Sequence, residues 1–351
     1  MRRGVQSLMV ILVVVSLPLF WLFRPVIGMP ARFAPEDCRR MALTDTGSGR
    51  ELVGIEDMAL LPGGDTLILS ALDRLAYARR PRDAPEGGLY EVSLKRLAAG
   101  EAWASPIVRP GAVKGGLFPH GVAVSSDGER LAFINRGRDG TVSIVGGSLR
   151  RGAFDLRTTR SDPEFCRAND LAFFGDGAMN LRVTLDRGDC GLAWADLKPS
   201  STSGRVVSVN LDGLAPLKIE QTGLSFANGI AGLYVAETRA SRLSHRLDRP
   251  LDLPGGPDNL TWDGLGGLIA ALHPSLFRLA AYRYGYHDTA PSRIIRVDLD
   301  RTVEVLFDDT GGEVFSGASV AVLSGPALSG GVLVAGSMRD AGVLVCRKGV
   351  S

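Results

Sequence analysis

The sequence has no basic stripe. Its formal net charge is +2, with acids and bases interspersed, and this argues against the concentrated cationic face that nucleic acid demands. It has no C-x-x-C spacing, which argues against a cysteine zinc site. It has no G-x-S-x-G elbow, so Ser316 carries no claim as a nucleophile. After the N-terminus it has no long segment with clean helical periodicity. What it does have is 44 glycines and many short apolar runs broken by Gly, Asp-Gly and Pro. That punctuation belongs to an all-β protein, and 351 residues suffice for one large domain or two smaller ones.

The N-terminus stands apart. Arg2 and Arg3 precede "SLMVILVVVSLPLFWLF", and Arg24 follows it. The run exceeds the h-region of a cleaved signal, about 7–15 residues, and falls within the usual range for a span. No clear A-x-A site follows. The expectation is an uncleaved signal anchor over 1–30 and an exported domain over 31–351, held to the membrane on its periplasmic or extracellular side. A cleaved, secreted form is the alternative.

Cys38, Cys166, Cys190 and Cys346 follow the anchor. An even count in an exported domain suggests disulfides. A link from Cys38 to Cys346 would tie the first element to the last; Cys166 and Cys190 are a second candidate pair.

One arrangement recurs along the chain. A small or polar pair stands before an apolar run, then a turn, then a second apolar run. The pairs are Glu56-Asp57, His120-Gly121, Asn169-Asp170, Asn228-Gly229, Asp258-Asn259 and Ser316-Gly317. The six units are spaced by roughly 30 to 65 residues, averaging near the period of propeller blades, about 40–50. The reading is a six-bladed β-propeller, with a β-sandwich pair as the alternative that leaves the recurrence unexplained. The innermost strand of each blade starts at one end of the central channel, so the polar pairs converge there.

Taken singly, an Asp or Asn before a strand is a turn former. Taken together, Glu56, Asp57, Asn169, Asp170, Asn228, Asp258 and Asn259 offer hard oxygen donors in number. That set suits Ca²⁺, which takes about 6–8 oxygens. Four carboxylates gathered without a cation would raise one another's pKa. Neighbouring strand residues point opposite ways, so Glu56 and Asp57, or Asn169 and Asp170, would serve two ions at different depths.

The stretches "GIEDMALLPGG", "FPHGVAV", "NDLAFF", "FANGI", "DNLTWD", "ALHPS" and "FSGASVAVL", in this order, resemble the paraoxonase/arylesterase family, as a bacterial-type, membrane-anchored member. The resemblance runs from about Cys38 to Cys346. It implies a six-bladed propeller with two calcium ions in the channel, a retained hydrophobic helix, and hydrolysis of lactones and aryl esters as a carboxylic ester hydrolase. By the same resemblance, Glu56, Asn169, Asn228, Asp258 and Asn259 hold the catalytic calcium. Asp57, Asp170 and the carbonyl of Val122 hold the structural one. His120 matches the active-site histidine, His273 a second histidine near the pocket, and Cys38–Cys346 the terminal disulfide.

Arg136 replaces the histidine of a proposed dyad. It cannot take a proton near neutral pH and would lower the pKa of a nearby imidazole. His120 is the candidate general base because imidazole titrates near the working pH; His273 and Arg136 are assigned to the substrate pocket. Two other readings stand beside this one. One is a gluconolactonase-type sugar-lactone hydrolase with a single metal. The other is a calcium-stabilised binding module without catalysis, as in strictosidine-synthase-like propellers. Long loops at the channel mouth set substrate choice. Here they are Asp73–Gly87, rich in Arg and Pro, and Leu276–Pro291, whose Tyr282, Tyr284 and Tyr286 are candidates for an apolar rim. The expected partner is a small lactone or ester; the oligomeric state is not legible.

Overall fold

Each recurrent unit becomes one antiparallel sheet, and six sheets form the ring. A computed structural model describes residues 25–348 except 109–110, 151, 176–178, 189, 191–200, 214 and 326–330. The inner strands are Ile55–Leu60, Pro119–Val124, Ala168–Phe173, Ala227–Ala231, Gly256–Trp262 and Ala318–Ser324. Each packs beside the next, and the sixth returns to the first. We number the blades 1–6 by these strands. Blades 2–5 are four-stranded in chain order. Blade 1 gains Thr44–Asp45, parallel to its outer strand Trp103–Pro106.

Blade 6 closes the circle. Its three late strands are completed at the outer edge by Cys38–Met41, antiparallel to Val343–Cys346. Cys38 faces Cys346 in that register and is disulfide-bonded to it. The bond spans 308 residues of sequence. Loop-entropy reasoning then places its contribution near the upper limit, about 5 kcal/mol. Cys38→Ser with Cys346→Ser should lower the denaturant midpoint accordingly; an unchanged midpoint would mean that the ladder alone holds the seam. The second candidate pair, Cys166–Cys190, is also bonded. It fastens the short 3-10 turn Pro163–Arg167, just before the inner strand of blade 3.

The core lies between blades. Val320, Val322 and Val334 of blade 6 pack on Ile55, Met58, Leu67 and Leu69 of blade 1, and equivalent apolar layers fill the other five interfaces. A lone four-stranded sheet exposes two faces, and stacking around an axis buries both.

Alternation along the strand was to aim Glu56 and Asp57, and Asn169 and Asp170, at different spots, and the members of these pairs do meet different neighbours: Glu56 meets Arg74 while Asp57 meets the backbone of blade 2. Every inner strand also slips register against its neighbour, at the pair in blades 1–5 and just after it in blade 6: Ile55/Asp57, Pro119/Val122, Ala168/Leu171, Ala227/Ile230, Pro257/Leu260 and Ala318/Val320. A bulge inserts an unpaired residue and re-aims its side chain.

The membrane anchor was assigned mostly to residues that lie outside the described ones. Among the described residues no helix is long and apolar enough to cross a membrane. The reading of Tyr282, Tyr284 and Tyr286 as rim or membrane-surface residues is corrected at one position. Tyr282 is buried, with its hydroxyl donating to Asp340 Oδ1 at 2.6 Å, while Tyr284 and Tyr286 are exposed.

Candidate functional site

The second strand of a blade runs antiparallel to the first, so its end lies beside the polar pair. Two such ends carry short helices over the same channel mouth. In blade 1 the strand Thr66–Ala71 leads into helix Arg74–Arg79, capped by Asp73, which accepts from Ala76 N at 2.9 Å. In blade 5, Leu268–His273 leads into helix Leu276–Arg283, capped by Ser275. The two meet: a side chain at Gly285 would strike Arg79 and approach Leu75.

Beneath this roof the predicted residues are all buried: Glu56, Asp57, His120, Asn169, Asp170, Asn228, Asp258, Asn259 and His273. They separate into two groups by what their polar atoms do.

The first group is left short of donors. Asn228 Nδ2 donates to Thr238 Oγ1 at 3.0 Å and Asn259 Nδ2 donates to Glu56 O at 2.8 Å. Both amides are thereby oriented, yet neither Oδ1 has a partner. Glu56 Oε2 has no hydrogen bond either; its nearest cation is Arg74 Nε at 3.3 Å, in an ionic contact whose N–H is not aimed at it. His273 Nε2 lies 2.7 Å from Asp258 Oδ2. Burial raises the Glu56 pKa, Arg74 opposes the rise, and Asp258 adds to it. Buried acceptors without donors are costly, about 1–3 kcal/mol each, and a cation would satisfy all three oxygens at once. Among the described residues no three His, Cys, Asp or Glu side chains are grouped for a metal; the unsatisfied set is one carboxylate and two amides. The residues present fit Ca²⁺, the ion for which neutral oxygen donors suffice.

The second group is satisfied within the protein. Asp57 Oδ2 accepts from Val122 N at 2.6 Å and Oδ1 from Met58 N at 2.9 Å. Asp170 repeats this with Ile230 N at 2.8 Å and Leu171 N at 2.7 Å. Each carboxyl thus latches its blade to the next. The latched strands carry Gly121 and Gly229. A side chain there would collide with the backbone of Asn169 and Asp170, or of Asp258 and Asn259, which explains glycine as the second member of those pairs. The two carboxyls lie close enough to influence each other's protonation. Burial raises Asp57 well above the usual range, with Asp170 adding to the effect, and pushes Asp170 up to about 7. A proton or a cation between them relieves the repulsion. Val122 meets this site through its N–H.

His120 is ringed by cations. Burial depresses its pKa well below the usual imidazole value, followed by Arg136, Arg74 and Arg283; a hydrogen bond with Asn169 opposes the fall. Arg74 Nη2 lies 3.3 Å from His120 Nδ1. A guanidinium only donates, so Nδ1 accepts and the ring proton sits on Nε2. Arg136 donates from Nη2 to Ala168 O at 2.8 Å, bridging blades 2 and 3.

Sequence reading marked the two mouth loops but not Arg74 or Arg283 within them, nor Thr184, Thr238 and Ser70. Thr184 Oγ1 donates to Asn228 O and accepts from Asp170 N at 3.0 Å. Thr238 Oγ1 donates to Pro257 O at 2.7 Å, and Ser70 Oγ to His120 O at 2.6 Å. Their only signal in the sequence is a hydroxyl near the end of a second strand. A cleft of about 420 Å³ lies outside the mouth, lined by Tyr77, Arg80, Arg82, Arg138 and Asp139; no residue of the polar set lines it.

No protein-family model matches the sequence, and no functionally curated protein matches it. Solved structures with related architecture do. A gluconolactonase from Xanthomonas campestris is 17% identical, covering 93% of this chain and 99% of its own, with a TM-score of 0.49. A luciferin-regenerating enzyme is 14% identical over 90% of this chain and 95% of its own, TM-score 0.48. The calcium-binding protein regucalcin from Agrobacterium tumefaciens is 13% identical over 92% and 97%, TM-score 0.45. The six-bladed propeller assignment rests on this chain's own strand order.

Proposed function

We propose that this protein is a calcium-dependent lactone hydrolase, with its active site at the roofed end of the channel. The observation that carries the reading is the set of buried, unpartnered oxygens on Glu56, Asn228 and Asn259. Asn169 and Asp258 complete the proposed ligand set. A bound Ca²⁺ would supply an electrophilic centre for the substrate carbonyl and its developing oxyanion.

The chain's own groups do the rest. Thr238 and the Glu56 carbonyl hold the two amides with their oxygens free. His273 fixes the Asp258 carboxylate from the side. Hydrolysis adds water oxygen to the acyl carbon and breaks the acyl C–O bond, and the ring oxygen leaves as a hydroxyl. A base must carry one proton from the water to that oxygen. His120 is neutral at working pH, the form a base needs. Its Nδ1 lone pair faces Arg74, so proton uptake there requires Arg74 to withdraw. In the resting arrangement the imidazole acts as a donor through Nε2.

Two features favour a polar lactone over an aryl ester. Three arginines, Arg74, Arg136 and Arg283, act on His120 at this end of the channel. The unsatisfied oxygens form one set, while Asp57 and Asp170 are already served by backbone N–H groups. A gluconolactonase-type, single-metal reading therefore accounts for the site better than a two-ion arylesterase, and membrane attachment through residues 1–30 remains part of the proposal. The decisive assay compares γ-butyrolactone and phenyl acetate in calcium and in chelator. Lactone turnover should vanish in chelator and return with calcium, at one bound ion per chain. Chelator-resistant turnover sinks the metal reading. Two ions per chain restore the paired-calcium arrangement.

A further inference from the structure

Three arginines lie near enough to His120 to act on it, and none is fully partnered. Arg74 Nε and Arg136 Nε are buried and lack hydrogen-bond acceptors. Arg283 ends the blade-5 helix; it is exposed and has no hydrogen-bond or ion-pair partner among the described residues. They come from three directions. Arg74 begins the blade-1 helix and reaches Glu56 and His120, each at 3.3 Å. Arg136 ends the second strand of blade 2 and spans to Ala168, next to Asn169. The helix ending in Arg283 leads into Gly285, which abuts the blade-1 helix.

Burial is the main influence lowering Arg136 and Arg74, opposed by Asp186 at Arg136 and by Glu56 at Arg74; Arg283 lowers both further, and Arg74 lowers Arg136. Like charges held under one roof need a counter-charge. Glu56 supplies part of it to Arg74. If Glu56 turns to a metal ion, as the proposed function requires, Arg74 loses that partner and the mouth becomes more cationic. Planar guanidiniums bind carboxylates through charge-assisted, often bidentate hydrogen bonds.

We propose that Arg74, Arg136 and Arg283 form an anion-binding roof, and that the substrate is a lactone bearing a carboxylate apart from the bond that is cut. The proposal rests on the hydrolase reading for its substrate, but the anion site can be tested without turnover. The first measurement is kcat/KM for γ-butyrolactone and for its γ-carboxylate, at low and high salt. The carboxylated lactone should be preferred by about tenfold or more, the scale of one charge-assisted hydrogen bond. The preference should shrink with salt as screening rises. Arg283→Met and Arg136→Met should each collapse the preference ratio, chiefly through KM. Arg157→Ala, an exposed charge on the outer strand of blade 2, should leave the ratio unchanged.

The second measurement is calorimetric binding of succinate to the calcium-loaded protein, expected in the parent and weakened in both variants. Succinate binding lost in the variants, with no hydrolysis of either lactone, would retain the anion roof and reject the hydrolase. Equal kcat/KM for the two lactones, with no succinate binding, would reject the roof and retain the hydrolase.

Discussion

Glu56→Gln should lower kcat/KM for a lactone by about 10²–10³-fold, comparable to the loss of one oxyanion-stabilising group in other hydrolases, and should remove bound calcium. Glu56 is the carboxylate of the unsatisfied set, and its Oε2 has only Arg74 nearby, at 3.3 Å. The amide keeps the shape but supplies one neutral oxygen and an N–H₂ group that repels a cation. Arg74 meanwhile loses the charge that opposes its own burial, so it should press harder on His120. Metal content and kinetics should therefore fall together. Asn228→Ala provides a second route to the same loss, because it deletes one of the free oxygens while leaving the Thr238–Pro257 contact in place. Parental turnover at parental calcium content in both variants would overturn the assignment of the site.

Asp170→Ala should destabilise the fold by about 2–6 kcal/mol, since two buried N–H groups, those of Ile230 and Leu171, lose their acceptor at about 1–3 kcal/mol each. Asn169→Ala, one residue away, should chiefly reduce rate. The carboxyl at Asp170 is pushed up to about 7, so it holds a proton much of the time. Relief of charge repulsion is then the smaller effect. Asn169 has no such latch; its contact of consequence is with His120. Denaturant midpoints for the two variants decide the point. Equal shifts would show that the neighbours share one role.

The polar pairs were legible in the sequence because their recurrence does not depend on register. "RANDLAFF" and "FANGIAG" can be aligned by eye, and six repeats of a polar step before an apolar run require a common position in space. The seam was legible for a similar reason, because Cys38 and Cys346 sit at opposite ends of the domain. The partner of each side chain was not legible. A period of two separates the members of a pair but does not say which backbone N–H or cation meets each of them. The nearness of Arg74 and Arg283 to His120 was hidden as well, since a loop rich in arginine reads the same whether or not its charges reach a buried site.

The sequence by itself determined six blades, their closure, and a collar of oxygen-bearing residues at one level. It did so because hydrophobic alternation, glycine turns and repeat spacing act locally. Strand alternation already set Glu56 apart from Asp57 and Asn169 from Asp170; only the tertiary structure showed which of the two groups the protein itself satisfies. Asp57 and Asp170 are taken up by the N–H groups of the next blade, while Glu56, Asn228 and Asn259 keep oxygens that no described residue satisfies. The division depends on which backbone donor a bulge brings within 3 Å of which carboxyl. That distance is set by packing between blades distant in sequence, where local patterns carry no information.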